Sequence, residues 1–165
     1  MRITQESCCC QHSDAYQGDR IRQAITDFLS AAAGDHAEEV GLGAGLSSIH
    51  AGGSANLVAY IGHDGFMDFQ LASLPQRKNS SRREAMVLAC ISKKYFAEAL
   101  RATGAHPLLW TTGLMAPEAY TLKDALEGWI AGETDEQIRE RAARAYDHYQ
   151  KCGINGARRL LVSGW

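Results

Sequence analysis

The chain has 165 residues, 45% hydrophobic and 22% charged, with a formal charge of −2. That is enough for one compact domain with its own core, so a single domain over residues 1–165 is expected. The charge balance offers no bulk attraction to nucleic acid or anionic membrane, no apolar run nears the ~18 residues of a membrane span, and no secretory signal pattern opens the chain; neither nucleic acid nor membrane is an expected partner.

The chain opens with three adjacent cysteines, Cys8, Cys9 and Cys10, of five in all. An odd, unevenly spaced set is not a secreted disulfide framework, and reduced thiols in a cytoplasmic protein are the expectation. A soft-metal cluster with His12 is set aside: adjacent cysteines rarely converge on one ion, and no second ligand pair lies at zinc-site spacing. From Asp19 to Ala33, Ile21, Ile25, Phe28, Leu29 and Ala32 recur at helical spacing, and Gly34 ends the helix. The glycine-rich segment 34–54 has a weak apolar pattern and reads as a loop. Its "GLGAG" lacks both a P-loop Lys-Ser/Thr and full GxGxxG spacing, so a phosphate cradle is not the expected reading.

Leu57 to Ile61 and Ala85 to Cys90 ("AMVLAC") read as buried strands. Between them, Met67 to Leu71 suggests a small extra strand. The basic run "QRKNSSRRE" contains Arg77, Lys78, Arg82 and Arg83; a solvated face is expected over a phosphate or acidic-partner contact. Ser92 can cap a helix running through Tyr95, Phe96, Ala99 and Leu100 to Gly104. "HPLLWTT" makes a third strand. Pro117 fits the first turn of a helix using Ala119, Leu122, Leu126, Trp129 and Ile130. Thr134 and Gln137 form a capping box for a last helix with Ile138, Ala142, Ala145, Tyr149 and Cys152 on one face, Cys152 as a core residue.

Alternating strands and helices predict an α/β fold: a mostly parallel sheet between helical layers, a three-layer sandwich. In such sheets the carboxyl ends of the strands collect ligand-binding and catalytic groups. His63 follows one strand, Cys90 closes the next, and Thr111-Thr112-Gly113 ends a third. A free thiol with a reference pKa of about 8.5 is only partly ionised at neutral pH, and a neighbouring imidazole generates thiolate. In this reading Cys90 is the nucleophile and His63 the base, later the acid for the leaving amine. Backbone N–H groups of Cys90 and Gly65 are candidate oxyanion donors, with Asp64 and Thr112 as candidate substrate contacts.

"VAYIGHDG" followed by "MVLAC" resembles the caspase-like (clan CD) cysteine peptidases, in which one apolar strand ends in His-Gly and a later one in the nucleophilic Cys. The resemblance implies a caspase-like three-layer fold, a His63/Cys90 dyad, a peptide or protein substrate, and no required metal or cofactor. It covers the two strands closely and the remaining α/β order loosely. Asp64 stands between the His and the Gly, the His-to-Cys connection leaves little room for a crossover helix, and the chain is short for such a domain.

The rival reading is a non-catalytic caspase-like or Rossmann-like module that binds a partner through the same edge. A metal-dependent phosphohydrolase is disfavoured, because its His-Asp pair sits on a helix among further ligands, whereas His63-Asp64 follows a strand. Substrate-pocket walls are expected from the glycine-rich loop and "TTGLMAPEAY". Asp64, Asp68 or Glu118 could select a basic side chain by charge, with surface or helix-start roles the equal alternative, Glu118 lying where a helix N-terminus favours an acid.

Overall fold

A computed structural model of the chain describes residues 11–41 and 48–165. Helix α1 (Ile21–Ala33) follows a single 3-10 turn at Gly18–Arg20. It ends at Gly34, whose φ of 88° turns its N–H onto the carbonyls of Ser30 and Ala31. Its apolar stripe buries Ile25, Phe28, Leu29 and Ala32. The glycine-rich segment is not wholly a loop: β1 (Ala37–Gly41) and β2 (Ser48–Gly52) pair as an antiparallel ribbon. Of the residues in these two strands only Ala51 is buried, so neither face carries the apolar alternation that marks a strand in sequence. The phosphate-cradle reading falls mainly on residues 42–47, outside the described residues.

The main sheet has the order β3 (Leu57–Ile61), β4 (Glu84–Leu88), β5 (His106–Thr111), β6 (Leu161–Val162). The first three strands are parallel and β6 runs antiparallel to β5. The protein is therefore α/β with a mixed rather than wholly parallel sheet. β4 lies between neighbours on both sides, and its alternating side chains divide the interior. Ala85 and Val87 face a core shared with α1 and α2 (Ser92–Thr103), while Met86 and Leu88 face a second core. That second core includes residues of α3 (Ala119–Ile130), α4 (Asp135–Gln150) and α5 (Ile154–Leu160), so helices cover both faces.

Several expectations shift for identifiable reasons. Pro117 lies ahead of α3, with Glu118 as the N-cap, and the buried stripe of α3 is Thr121, Ala125 and Gly128. These small residues let α3 approach α4; a Cβ at Gly128 would lie 2.8 Å from Arg141 Cδ. Helix α4 begins with the expected Thr134/Gln137 capping box. It buries Ala143 and Tyr146 alongside Ile138, Ala142 and Ala145, whereas Tyr149 stacks on Tyr120 at the surface, 4.1 Å between ring centroids. Cys152 is exposed in the turn beyond α4 and is not a core residue. Met67 to Leu71 forms no strand; a 3-10 turn at Gly65–Met67 occupies part of that connection. Nor is the basic run wholly solvated: Arg83 is buried, donating to the Gly53 carbonyl and to Asn79 Oδ1. No helix among the described residues is long and apolar enough to cross a membrane.

Candidate active site at the strand ends

The β3–β4 register pairs Ile61 with Leu88, and the Gly62 N–H donates to the Leu88 carbonyl at 3.2 Å. His63 and Cys90 each lie two residues beyond that last pair. They leave neighbouring parallel strands at the same level, where strand axes are about 4.8 Å apart. Their side chains are engaged elsewhere and form no hydrogen bond with each other. His63 Nε2 is 2.6 Å from Asp68 Oδ2, an exposed pair. Cys90 Sγ lies 3.4 Å from the Met115 N and 3.6 Å from its carbonyl oxygen.

The turn carrying Cys90 is held tightly. Ile91 adopts the left-handed region, φ 52° and ψ 30°, an outlier for a β-branched residue and costing about 1–3 kcal/mol. Neighbouring contacts enforce it: the Ile91 N–H donates to the Gly113 carbonyl at 2.8 Å, and its carbonyl accepts from Lys94 at 3.0 Å. Ser92 opens α2 without capping it. Its buried hydroxyl instead donates to the Val87 carbonyl at 2.8 Å and accepts the Thr111 N–H at 2.9 Å. Thr111 Oγ1 accepts the Ser92 N–H and donates to the Ala89 carbonyl. A buried Ser–Thr clasp therefore spans the chain on both sides of Cys90. The Cys90 N–H itself has no acceptor among the described residues.

On the histidine side, Tyr60 donates its hydroxyl to the His63 carbonyl at 2.7 Å. Burial, with the Asp64 carboxylate nearby, pushes the Tyr60 phenol up to about 12. Asp64 is wholly buried. Its Oδ1 accepts the Phe66 N–H at 3.0 Å, capping the 3-10 turn, and its Oδ2 has no partner. Desolvation raises its pKa to about 6. Asp64 is thus a concealed turn cap, out of reach of a solvent-borne substrate.

Gly65 is also buried, and a Cβ there would lie 2.7 Å from Phe69 Cε1 and 2.9 Å from Ile25 Cδ1. Close packing accounts for this glycine. Thr112 sits on the third strand end, but its hydroxyl donates to the Arg159 carbonyl at 2.6 Å and ties that end to α5. The strand ends therefore set His63 and Cys90 at matching register positions on adjacent strands without joining their side chains. The Asp64 carboxylate caps a turn, the Thr112 hydroxyl anchors α5, and the Gly65 N–H, like that of Cys90, donates to no described backbone carbonyl. Sequence reasoning missed the backbone of Met115 as the partner of the thiol. It also missed Tyr146, whose hydroxyl accepts the Ala116 N–H at 3.1 Å and steadies that loop.

Among the described residues no group of three or more His, Cys, Asp or Glu side chains is arranged to hold a metal ion. Cys8, Cys9 and Cys10 lie outside them. His12 is 3.6 Å from Asp14. No family model, curated protein or solved structure matches this chain. The α/β class and the two-residue strand-end site are defined by the chain's own residues.

Proposed function

We propose that this chain is a caspase-like cysteine peptidase homologue in which His63 and Cys90 act as a dyad on a peptide substrate. The supporting observation is the shared level at which the two residues leave adjacent parallel strands. The strained, clasped turn after Cys90 adds to it, since strain of this kind persists where surrounding contacts enforce a functional geometry. The His63–Asp68 contact does not oppose the reading: it is an exposed hydrogen bond worth about 1 kcal/mol, so turning the imidazole from Asp68 toward the thiol costs little.

In this mechanism His63 takes the proton of Cys90, and the sulfur attacks the peptide carbonyl carbon. The tetrahedral oxyanion faces the unpaired Cys90 N–H. The C–N bond then breaks as His63 returns the proton to the leaving amine, and water hydrolyses the thioester. The second reading, a non-catalytic binding module, is favoured by one observation: the thiol and imidazole are hydrogen-bonded to Met115 and Asp68 and not to each other.

Alkylation rates across pH, mapped to individual cysteines by peptide mass spectrometry, separate the two. Cys152 is exposed and Cys90 only half-exposed, so access alone makes Cys152 the faster. A dyad reverses that order below pH 7, and His63→Ala removes the reversal. If Cys90 is slower than Cys152 at every pH, or its rate ignores His63, the peptidase reading is wrong and the binding module stands.

A further inference from the structure

The edge of the sheet opposite His63 and Cys90 holds a second feature. At the amino-terminal end of β5 lies an open cavity of about 730 Å³ lined by Arg77, Arg82, Arg101, His106 and Trp165, together with Gly104 and Ala105. No acidic side chain is among the lining residues, although the chain as a whole is net negative.

Nearby charges do not cancel the basic lining. Of the lining residues, Arg82 pairs with Glu84 and His106 with Asp135, whereas Arg77 and Arg101 form no ion pair with a described carboxylate side chain. The carboxyl end of α2, which Arg77 and Arg101 adjoin, carries only about half an elementary negative charge.

Two of the three lining arginines, Arg77 and Arg101, are also held in place. Arg101 lies 4.5 Å from the centre of the Trp165 ring, and its guanidinium hydrogen-bonds no described residue, so its donors remain available to a ligand. Arg77 is anchored by the Asn79 and Ser80 carbonyls at 2.7 and 2.8 Å, and its stem crosses Gly104 where a Cβ would come within 2.7 Å of Arg77 Cδ. Trp165 is half-exposed and rests edge-on to Trp110, 5.4 Å between centroids. Two planar guanidinium groups held beside one open cavity, with the exposed Arg82 within reach, match phosphate oxygens, and the exposed indole offers an apolar plane to whatever the phosphate is attached to.

We infer that this cavity is a binding site for a small phosphorylated molecule, remote from the strand-end site and independent of its chemistry. Isothermal titration of the full chain with inorganic pyrophosphate, adenosine diphosphate and adenosine at low ionic strength tests it. Saturable binding of pyrophosphate and the diphosphate, with none of adenosine, is expected. Tighter binding of the nucleotide than of pyrophosphate would mean that Trp165 reads the organic group; equal binding would mean that the site reads phosphate alone.

Arg101→Gln and Arg82→Gln, both at the surface, should each weaken binding about tenfold or more, since each removes charge-assisted hydrogen bonds. Arg144→Gln, on α4 away from the cavity, should leave it unchanged. Absence of saturable binding by either phosphate probe overturns the inference. So does binding that survives both cavity variants, or an oligoglutamate peptide binding as tightly as the diphosphate, which would make the surface an acidic-protein contact.

Discussion

The two faces of the sheet are built from different materials. Against α1 and α2 the interior is aromatic: Phe96 lies 6.2 Å from Phe28, 5.7 Å from Tyr60 and 4.7 Å from Phe66, ring centre to ring centre. Against α3, α4 and α5 it is aliphatic and small, with Leu88, Leu108 and Leu109 meeting Ala125, Ala142, Ala143 and Ala157. Each face sends one tyrosine toward the strand ends. Tyr60 holds the His63 carbonyl from the aromatic side, and Tyr146 holds the loop that contacts Cys90 from the other. The relative position of the two candidate residues is therefore set by two cores that meet only through β4 and its neighbours.

The largest expected effect tests whether the aromatic face is the more costly to disturb. Phe96→Ala removes the ring that joins Phe28, Tyr60 and Phe66 and should cost about 4 kcal/mol, at the level of other buried Phe truncations. Leu109→Ala, equally buried on the opposite face, should cost about 3 kcal/mol, because small neighbours leave room for partial collapse. Urea unfolding of both variants decides it. A larger loss in Leu109→Ala would show that the small-residue face is the less forgiving one.

The same contrast explains which parts of the fold the sequence discloses. β4 and β5 are legible because burial makes them nearly continuous apolar runs, and α1 and α2 because large apolar side chains recur at helical spacing. β3 reads the same way as β4 and β5, but as the edge strand it buries only Tyr60 and is not the buried strand its residues suggest. The α3 stripe is read in part: Leu122 and Trp129 do pack against the second core, but the buried Thr121, Ala125 and Gly128 carry little hydrophobic signal, although small side chains are what lets two helices approach. The β1–β2 ribbon is hidden because its faces are mostly exposed. At the candidate site, His63 and Cys90 are conspicuous as residue types at strand ends. The Met115 backbone contact and the left-handed Ile91 carry no sequence mark, since any residue supplies an N–H and a carbonyl and isoleucine ordinarily avoids that conformation.

An intermediate effect concerns Asp64, the buried carboxylate beneath the histidine. Its pKa is raised by burial from 3.8 to about 6 in the folded chain. The folded state therefore holds the proton more tightly, and the cost of ionising Asp64 is absent below about pH 4, grows between pH 4 and 6, and is complete above. Two units correspond to about 3 kcal/mol. Asp64→Asn keeps an acceptor for the Phe66 N–H and has no charge to bury, so it should match the wild type near pH 4 and exceed it by about 2–3 kcal/mol at pH 7.5. Glu140 has the opposite sign: hydrogen bonds from Arg158 and Arg144 hold it down to about 2, so its contribution is lost as pH falls from about 4.5 toward 2. That loss is common to both proteins and cancels in the difference. A difference independent of pH between 4 and 7 would mean that Asp64 is not held in a desolvated site.

The smallest effects compare the two tyrosines directly. Tyr60→Phe removes the donor to the His63 carbonyl but leaves the ring among Phe28 and Phe96, so about 1 kcal/mol should be lost. Tyr146→Phe removes an acceptor and leaves the Ala116 N–H unpaired, a cost of about 1–2 kcal/mol. Their effects on chemistry should diverge more than their effects on stability. Tyr146→Phe loosens the segment whose Met115 N–H and carbonyl flank the sulfur, so Cys90 alkylation should change while the Asp64-dependent pH profile stays as it was. Tyr60→Phe frees the His63 carbonyl, one residue before the Asp64 turn, and should shift that profile only by letting water reach Asp64, leaving Cys90 access alone. Both variants altering both readouts would mean that the two halves of the strand-end site move as one body. Separate responses would mean that each half is tuned by its own face of the sheet, with the register of β3 on β4 as their common reference.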